Sequence, residues 1–339
     1  NKVLDKKGLR NNYFFAGSVT SEADATHKAA LARSIFGVNG AGVKIGVLSD
    51  GVTGYATSQA SGDLPPVITI LPGQAGSGSE GRAMMELIYD LAPGAELYFA
   101  TAFGSQAGFA QNILDLRSAG CDIIVDDITY FAEGVFQDDN IAQAINTVTA
   151  SGALYFSSAG NSGNKNDGTA GVWEGDFVDG GVSAAPFPLT GNLHLFSAGT
   201  PYNIITANTG NVTLKWSDPL GLSGNDYDLF VTNAAGTAIA AAGTAVQDGN
   251  DNPYEQIGSC FAGERLYILK KTAAAPRALH LNTNRGMITY NTPGVVYGHN
   301  AGLNTISVAA TPASVPNSSP NSPVGPFPGV HNSSNRVEV

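Results

Sequence analysis

Apolar positions recur along the first half of the chain in two alternating rhythms. Over residues 23–36, ADATHKAALARSIF sets Ala25, Ala29, Ala32 and Phe36 at helical spacing and stops at Gly37, which predicts a helix. Residues 43–48 form a mostly apolar run that predicts a buried strand, ending on a carboxylate, Asp50, and turning at once on Gly51. The alternation continues with strands over 67–71, 96–100, 122–125 and 153–157 and helices over 82–91, 108–117 and 141–150. Strands separated by helices of this length predict an α/β fold with a doubly wound parallel sheet.

After Gly168 the helical period disappears. Short β-rich runs follow up to about Asn291: NLHLFSA, NVTLKWS, YDLFVTN, ERLYILK and RALHLNT, separated by Gly, Asn, Asp and Pro turns. Strands at this spacing predict an inserted all-β sandwich or jelly-roll domain. The α/β pattern returns at NTISVAA, residues 304–310, a strand expected to rejoin the first sheet. The expected organisation is therefore an α/β first part over 1–167, a β insert over 168–291 and an incomplete return over 292–339. The tail, 311–339, reads as a loop rich in Pro, Ser and Asn, with RVEV at its end resembling a strand start.

Composition narrows the partners. Of 339 residues 43% are hydrophobic and only 13% charged, with 42 glycines, which describes a lightly charged globular chain and points to a secreted or cell-surface, extracellular protein. A net charge of -11 and the absence of any basic cluster argue against nucleic acid or an anionic membrane as partner. No apolar stretch is long enough to span a bilayer, and the start at Asn1 reads as processed or trimmed. Cys121 and Cys260 fit export as a disulfide or packing as buried thiols. The sequons at Asn211, Asn317 and Asn332 say nothing without knowledge of the source.

Buried parallel strands deliver reactive side chains at their carboxyl ends, and two segments here do so. GVNGAGVKIGVLSDGV presents Asp50; YFSSAGNSG presents Asn161. Taken alone, Asp50 is as readily a turn residue, and Glu80 a residue that favours a helix N-terminus. In context both segments, the helix before the first of them and LAPGAELYFA resemble signature segments of the subtilisin-like serine peptidases, over residues 23–162 and 298–310. That resemblance implies catalysis by Asp50 as an orienting carboxylate and Asn161 as a donor to the oxyanion. Where subtilases carry a histidine, this chain has Glu80, as in the related sedolisins, in which a glutamate is the general base in acid. A helix N-terminus favours the ionised carboxylate and keeps such a base competent below neutral pH. The chain departs from sedolisins twice, with Met84 one helical turn on from Glu80 where they keep a carboxylate, and with Asn161 where they use an aspartate. Met84, Leu87, Ile88 and Leu91 are expected to form the core stripe of that helix.

Asp126 and Asp127 end the strand IIVDD. One is expected as a hydrogen-bond acceptor and the other in a solvated turn; if Asp127 instead faces Glu80, like charges raise the pKa of one and the two share a proton. Of the five histidines, His27 belongs to the early helix, His194 and His280 to the β insert and His331 to the tail. His299 precedes the returning strand and is, with Asp127, a second residue expected behind the site, or else a satisfied loop histidine. DGNDN, residues 248–252, has alternating oxygen ligands compatible with calcium, a weak signal on which no metal or other cofactor is assigned.

The family's nucleophile stands in a motif close to GTSxxxP, and no serine in this chain has that context. Family order puts it after ISVAA and beyond Val339. The expectation is an amino-terminal portion of an exported serine endopeptidase that acts on a polypeptide substrate, completed by a carboxy-terminal fragment that carries the serine. The alternative is an inactive pseudoprotease that binds an extracellular partner through its β insert.

Overall fold

The computed structural model describes residues 17–21, 23–24 and 27–310. Their packing makes two compact units, 17–128 with 144–156, and 129–143 with 157–310. This partition cuts the chain elsewhere than the change of rhythm at 168 does, because the segment after the fourth strand and the loop after the fifth pack with the β-rich part.

The first unit is built on parallel strands β1 (Lys44–Ser49), β2 (Thr69–Ile70), β3 (Glu96–Thr101), β4 (Ile123–Asp126) and the start of β5 (Leu154–Ser158), in the order β5-β4-β1-β3-β2. β1 is central and buried nearly throughout, as its apolar run requires. Its residues pair with β3 on one side, Ser49 opposite Thr101, and with β4 on the other, Leu48 opposite Asp126. The helices are α1 (Ala29–Phe36), α2 (Tyr55–Ser61), α3 (Glu80–Leu91), α4 (Gln106–Ser118) and α5 (Asn140–Ala150), whose first turn belongs to the second unit. Met85 of α3 clusters with Ile45 and Val47, whereas Leu116 of α4 lies where a side chain at Gly46 would be, 3.0 Å from such a Cβ. Successive strand residues point to opposite faces, so α3 and α4 cover opposite sides of the sheet, the doubly wound arrangement.

Local physics adjusts the expected elements. Ala23 and Asp24 are helical as expected, but Lys28 takes a left-handed conformation, φ 57°, so the continuous helix α1 starts afresh at Ala29. His27 accordingly sits in a turn. α2 is absent from the sequence reading: Ser58 is its one buried residue, so no apolar stripe announces it, and glycines with positive φ, Gly54 and Gly62, bracket it. The core side of α3 also differs. Gly81 and Met85 are its buried apolar positions, Met84 and Ile88 are half-buried, and Leu87 is exposed. A Cβ at Gly81 would lie 2.4 Å from the Phe99 ring, so the missing side chain lets the helix turn that flank to the sheet.

The second unit holds two antiparallel sheets around one apolar core. β6 (Val172–Asp176), β10 (Val212–Trp216), β13 (Tyr254–Ile257) and β15 (Ala278–Asn282) form one, in the order β13-β10-β15-β6. β7 (Asp179–Val182), β8 (Gly191–His194), β11 (Tyr227–Thr232), β12 (Ile239–Gly243) and β14 (Arg265–Lys271) form the other, with β9 (Asn203–Ala207) beside β14 and β16 (Met287–Ile288) beside β9. Leu214, Trp216 and Leu281 from the first sheet and Tyr227, Leu229 and Ile268 from the second share the core. β17 (Ile306–Val308) runs next to the end of β5, where the Ala159 N–H donates to the Val308 carbonyl at 2.9 Å. The RVEV end, the sequons at Asn317 and Asn332, and His331 lie outside the described residues.

Candidate active site

At the carboxyl edge of the first unit's sheet the chain passes from β3, on one side of β1, to β4 on the other, and such a switch opens a crevice at the strand ends. Asp50 stands there, directly after β1. Its Oδ1 accepts backbone N–H bonds from Gly51 at 2.5 Å, Glu80 at 2.9 Å and Gly81 at 3.2 Å. Ser79, at the N-cap position of α3, makes no side-chain cap bond, so Asp50 supplies the cap from a strand thirty residues earlier in the chain. The approach is tight enough to require glycine. Gly78, φ +121°, would place a Cβ 1.8 Å from the Asp50 carboxylate.

This cap draws Glu80 to the same edge. Glu80 is the first residue of α3 and its side chain is exposed. Asp127 completes the group: β4 ends at Asp126 opposite Leu48, so Asp127 follows alongside Ser49. Burial, first of all, pushes the Asp127 carboxyl up to about 7, the negative charges of Glu80 and Asp126 add to this, and the Ser49 hydroxyl works in the opposite direction. Asp126 is the expected acceptor, taking the Ile128 N–H at 3.0 Å; its neighbour is half-buried rather than solvated.

Asn161 belongs to the second unit, on the loop that leaves β5. Its side chain is exposed, and the loop around it is tied down by Gly171 N–H to the Ser162 carbonyl, 3.0 Å, and Asn164 N–H to Thr169 Oγ1, 2.9 Å. Gly163, φ +83°, is required there, since a Cβ would meet the Thr169 carbonyl at 2.0 Å.

His299 belongs to the second unit. It is fully buried in a 3-10 turn of the second unit, Gly298–Ala301, with Nδ1 2.7 Å from Glu133 Oε2 and its N–H donating to Glu133 Oε1 at 2.8 Å. His194 packs between Trp173 and Phe196, and burial lowers its pKa to about 4. Cys121 and Cys260 are buried free thiols, pushed by burial up to about 12 and about 11, so the disulfide alternative falls away. In DGNDN, Asp251 accepts the Asp248 N–H and Asn252 accepts the Gly221 N–H, and among the described residues no group of three His, Cys, Asp or Glu is arranged to hold a metal ion.

The sequence reading passed over one polar cluster. Across β13, β10, β15 and β6, Tyr254, Lys215, His280 and Glu174 pair side by side, on the sheet face opposite Leu214 and Trp216. Lys215 and His280 are nonetheless buried; the Lys215 amine lies 4.1 Å over the Tyr297 ring and His280 Nδ1 is 2.6 Å from Glu174 Oε1. Desolvation lowers the Lys215 pKa to about 7. The signal available in the sequence was Lys215 at an alternate position of the apolar run VTLKW; it reads as an outward residue until something covers that face.

No protein-family model matches the chain, and no curated protein does. Several solved structures resemble it in part. A lanthipeptide protease is 19% identical over 43% of this chain and 47% of its own, TM-score 0.33. The self-cleaved protease domain of PatA is 19% identical over 37% and 52%, TM-score 0.27, and the PatG macrocyclase in complex with peptide is 14% identical over 42% and 56%, TM-score 0.24. The chain thus spans about half the length of each.

Proposed function

We propose that this chain carries the acid–base half of a subtilase-like serine endopeptidase with a sedolisin-like glutamate, exported and acting on a polypeptide substrate. The observation behind the reading is the bond from the Glu80 backbone N–H to Asp50 Oδ1: the Asp50 carboxylate holds the helix start that carries Glu80, at the carboxyl edge of a parallel sheet. In this reading Glu80 takes the proton of an attacking serine as its oxygen bonds to the peptide carbonyl carbon. The Asn161 amide donates to the oxygen that becomes negative, and Glu80 then passes the proton to the departing amine. Asp50 orients the base through its backbone, by holding the first turn of α3 against β1. The serine comes from a complementary segment, since no GTSxxxP-like context exists in the 339 residues. No metal or other cofactor is assigned to this reading.

A second reading keeps the fold and drops the chemistry, with the β sheets of the second unit serving as an extracellular binding surface. What favours it is the same Asp50 oxygen, already occupied by three backbone amides. A serine-reactive fluorophosphonate separates the two. Labelling of a co-purifying segment across acid and neutral pH is expected from the peptidase, and complete absence of labelling in the assembled protein rejects it.

A further inference from the structure

Inside the second unit, Lys215, His280 and Tyr297 bring three polar side-chain ends together. Lys215 stands on β10 opposite His280 of β15 and Tyr254 of β13. Its amine lies 4.1 Å over the Tyr297 ring, whose centroid is 5.0 Å from that of His280. The three residues keep 3%, 4% and 0% of their surface, in the order Lys215, Tyr297, His280, so all are more than nine-tenths buried. Lys215 Nζ, His280 Nε2 and Tyr297 Oη are each buried without a hydrogen-bond partner. One such atom in a folded core is costly; three adjoining ones point to an occupant that supplies the missing bonds.

The cluster is rich in donors. A lysine ammonium carries three N–H groups and a phenol one O–H, and an imidazole whose Nδ1 serves a carboxylate gains a second donor at Nε2 when protonated. The acidic groups around it are engaged elsewhere. Glu174 of β6 holds His280 Nδ1 at 2.6 Å. Glu133, on the segment after β4, accepts the His299 N–H at Oε1, 2.8 Å, and has Oε2 2.7 Å from His299 Nδ1. On the far side the Tyr254 ring is 5.9 Å from the Lys215 amine, and the Tyr254 hydroxyl donates to Gln256. A narrow cleft lined by Glu133, Phe136, Lys215 and Tyr254 opens beside the amine. What suits this place accepts hydrogen bonds, carries negative charge and is small enough for a buried position.

We propose that Lys215, His280 and Tyr297 bind a small monovalent anion of the halide class inside the second unit. The site goes beyond the peptidase reading and does not depend on it. The anion gives the ammonium form of Lys215 the counter-charge that no carboxylate there provides, so ion and proton enter together. The Tyr297 hydroxyl and the protonated His280 ring complete the shell. Without the ion the buried amine carries the penalty of an unpaired charge.

The test follows thermal unfolding of the intact chain at constant ionic strength while sodium bromide replaces sodium gluconate. Saturable stabilisation is expected. The bromide affinity should be about 10-fold tighter at pH 6 than at pH 8, because the protonated fraction of Lys215 falls by that factor around a midpoint of about 7. Tyr297→Phe, which keeps the ring and loses the donor, should weaken bromide about 10-fold, and Lys215→Met should abolish the saturable response. A second measurement needs no variant: in 15N-labelled protein, bromide should raise the titration midpoint of the Lys215 amine by about one pH unit. Equal unfolding in bromide and gluconate, a Lys215 midpoint that bromide leaves unmoved, or a saturable response retained in Lys215→Met overturns the site and leaves water as the occupant. Fluorophosphonate labelling is independent of all three results.

Discussion

The carboxylates at the end of β1 and β4 and the polar row across β10 and β15 both place ionisable groups where solvation is poor, and they do so to opposite ends. In the first unit Asp127 is raised while Glu80 beside it stays exposed, so a charge that chemistry could use meets solvent at a sheet edge. In the second, Lys215 and His280 are roofed over, and the Lys215 amine is lowered beneath an aromatic ring. A perturbed pKa therefore does not by itself identify a site. Access and convergence at a strand-end crevice distinguish the carboxylates; the row of Lys215 is closed to a polypeptide.

Activity should separate the two regions most sharply. In the complete, labelling-competent protein Glu80→Gln is expected to lower kcat/KM by about 1000-fold, the scale of a lost general base, while Lys215→Met leaves it within about twofold. A Lys215→Met variant that loses activity as Glu80→Gln does would abolish the distinction. Stability comes next. A lysine lowered from 10.5 to about 7 binds fewer protons folded than unfolded between those values, so its penalty is full below about pH 7 and fades as pH rises toward 10. Lys215→Met should stabilise the protein by about 3 kcal/mol in chemical denaturation at pH 6 and by much less at pH 10.

The smallest effect has the reverse slope. Asp127, raised from 3.8 to about 7, binds more protons folded than unfolded between those values; the stability it contributes is intact below about pH 4 and is lost as pH climbs through 7. With solvent screening at a half-buried position, Asp127→Asn should stabilise by about 2 kcal/mol at pH 8 and by nearly nothing at pH 3. Two stability profiles of the same slope would mean that one of the two groups has been placed in the wrong electrostatic surroundings.

The alternation of strands and helices was legible because most elements of the first unit have their own periodicity: β1 is apolar between Lys44 and Ser49, and Leu116 and Phe109 sit on one flank of α4. The break in the early helix was not, because a single left-handed residue, Lys28, interrupts a pattern that the apolar spacing alone would continue. α3 shows the same limit from another side. Its four apolar residues were assigned to the core by spacing, yet Gly81, which has no side chain to count, decides which flank meets Phe99 and leaves Leu87 in solvent.

For the site, the sequence by itself determined which residue types stand at strand ends: Asp50 after β1, Asp127 after β4, Asn161 after β5, Glu80 at a helix start. Strand ends and helix starts are local features, written in a handful of neighbouring residues. The tertiary fold set the rest: Asp50 caps the helix of Glu80, Asp127 follows alongside Ser49, and His299 pairs with Glu133. Those are relations between residues tens of positions apart, set by strand order and register, and electrostatic coupling depends on distance and burial, which no stretch of chain carries alone.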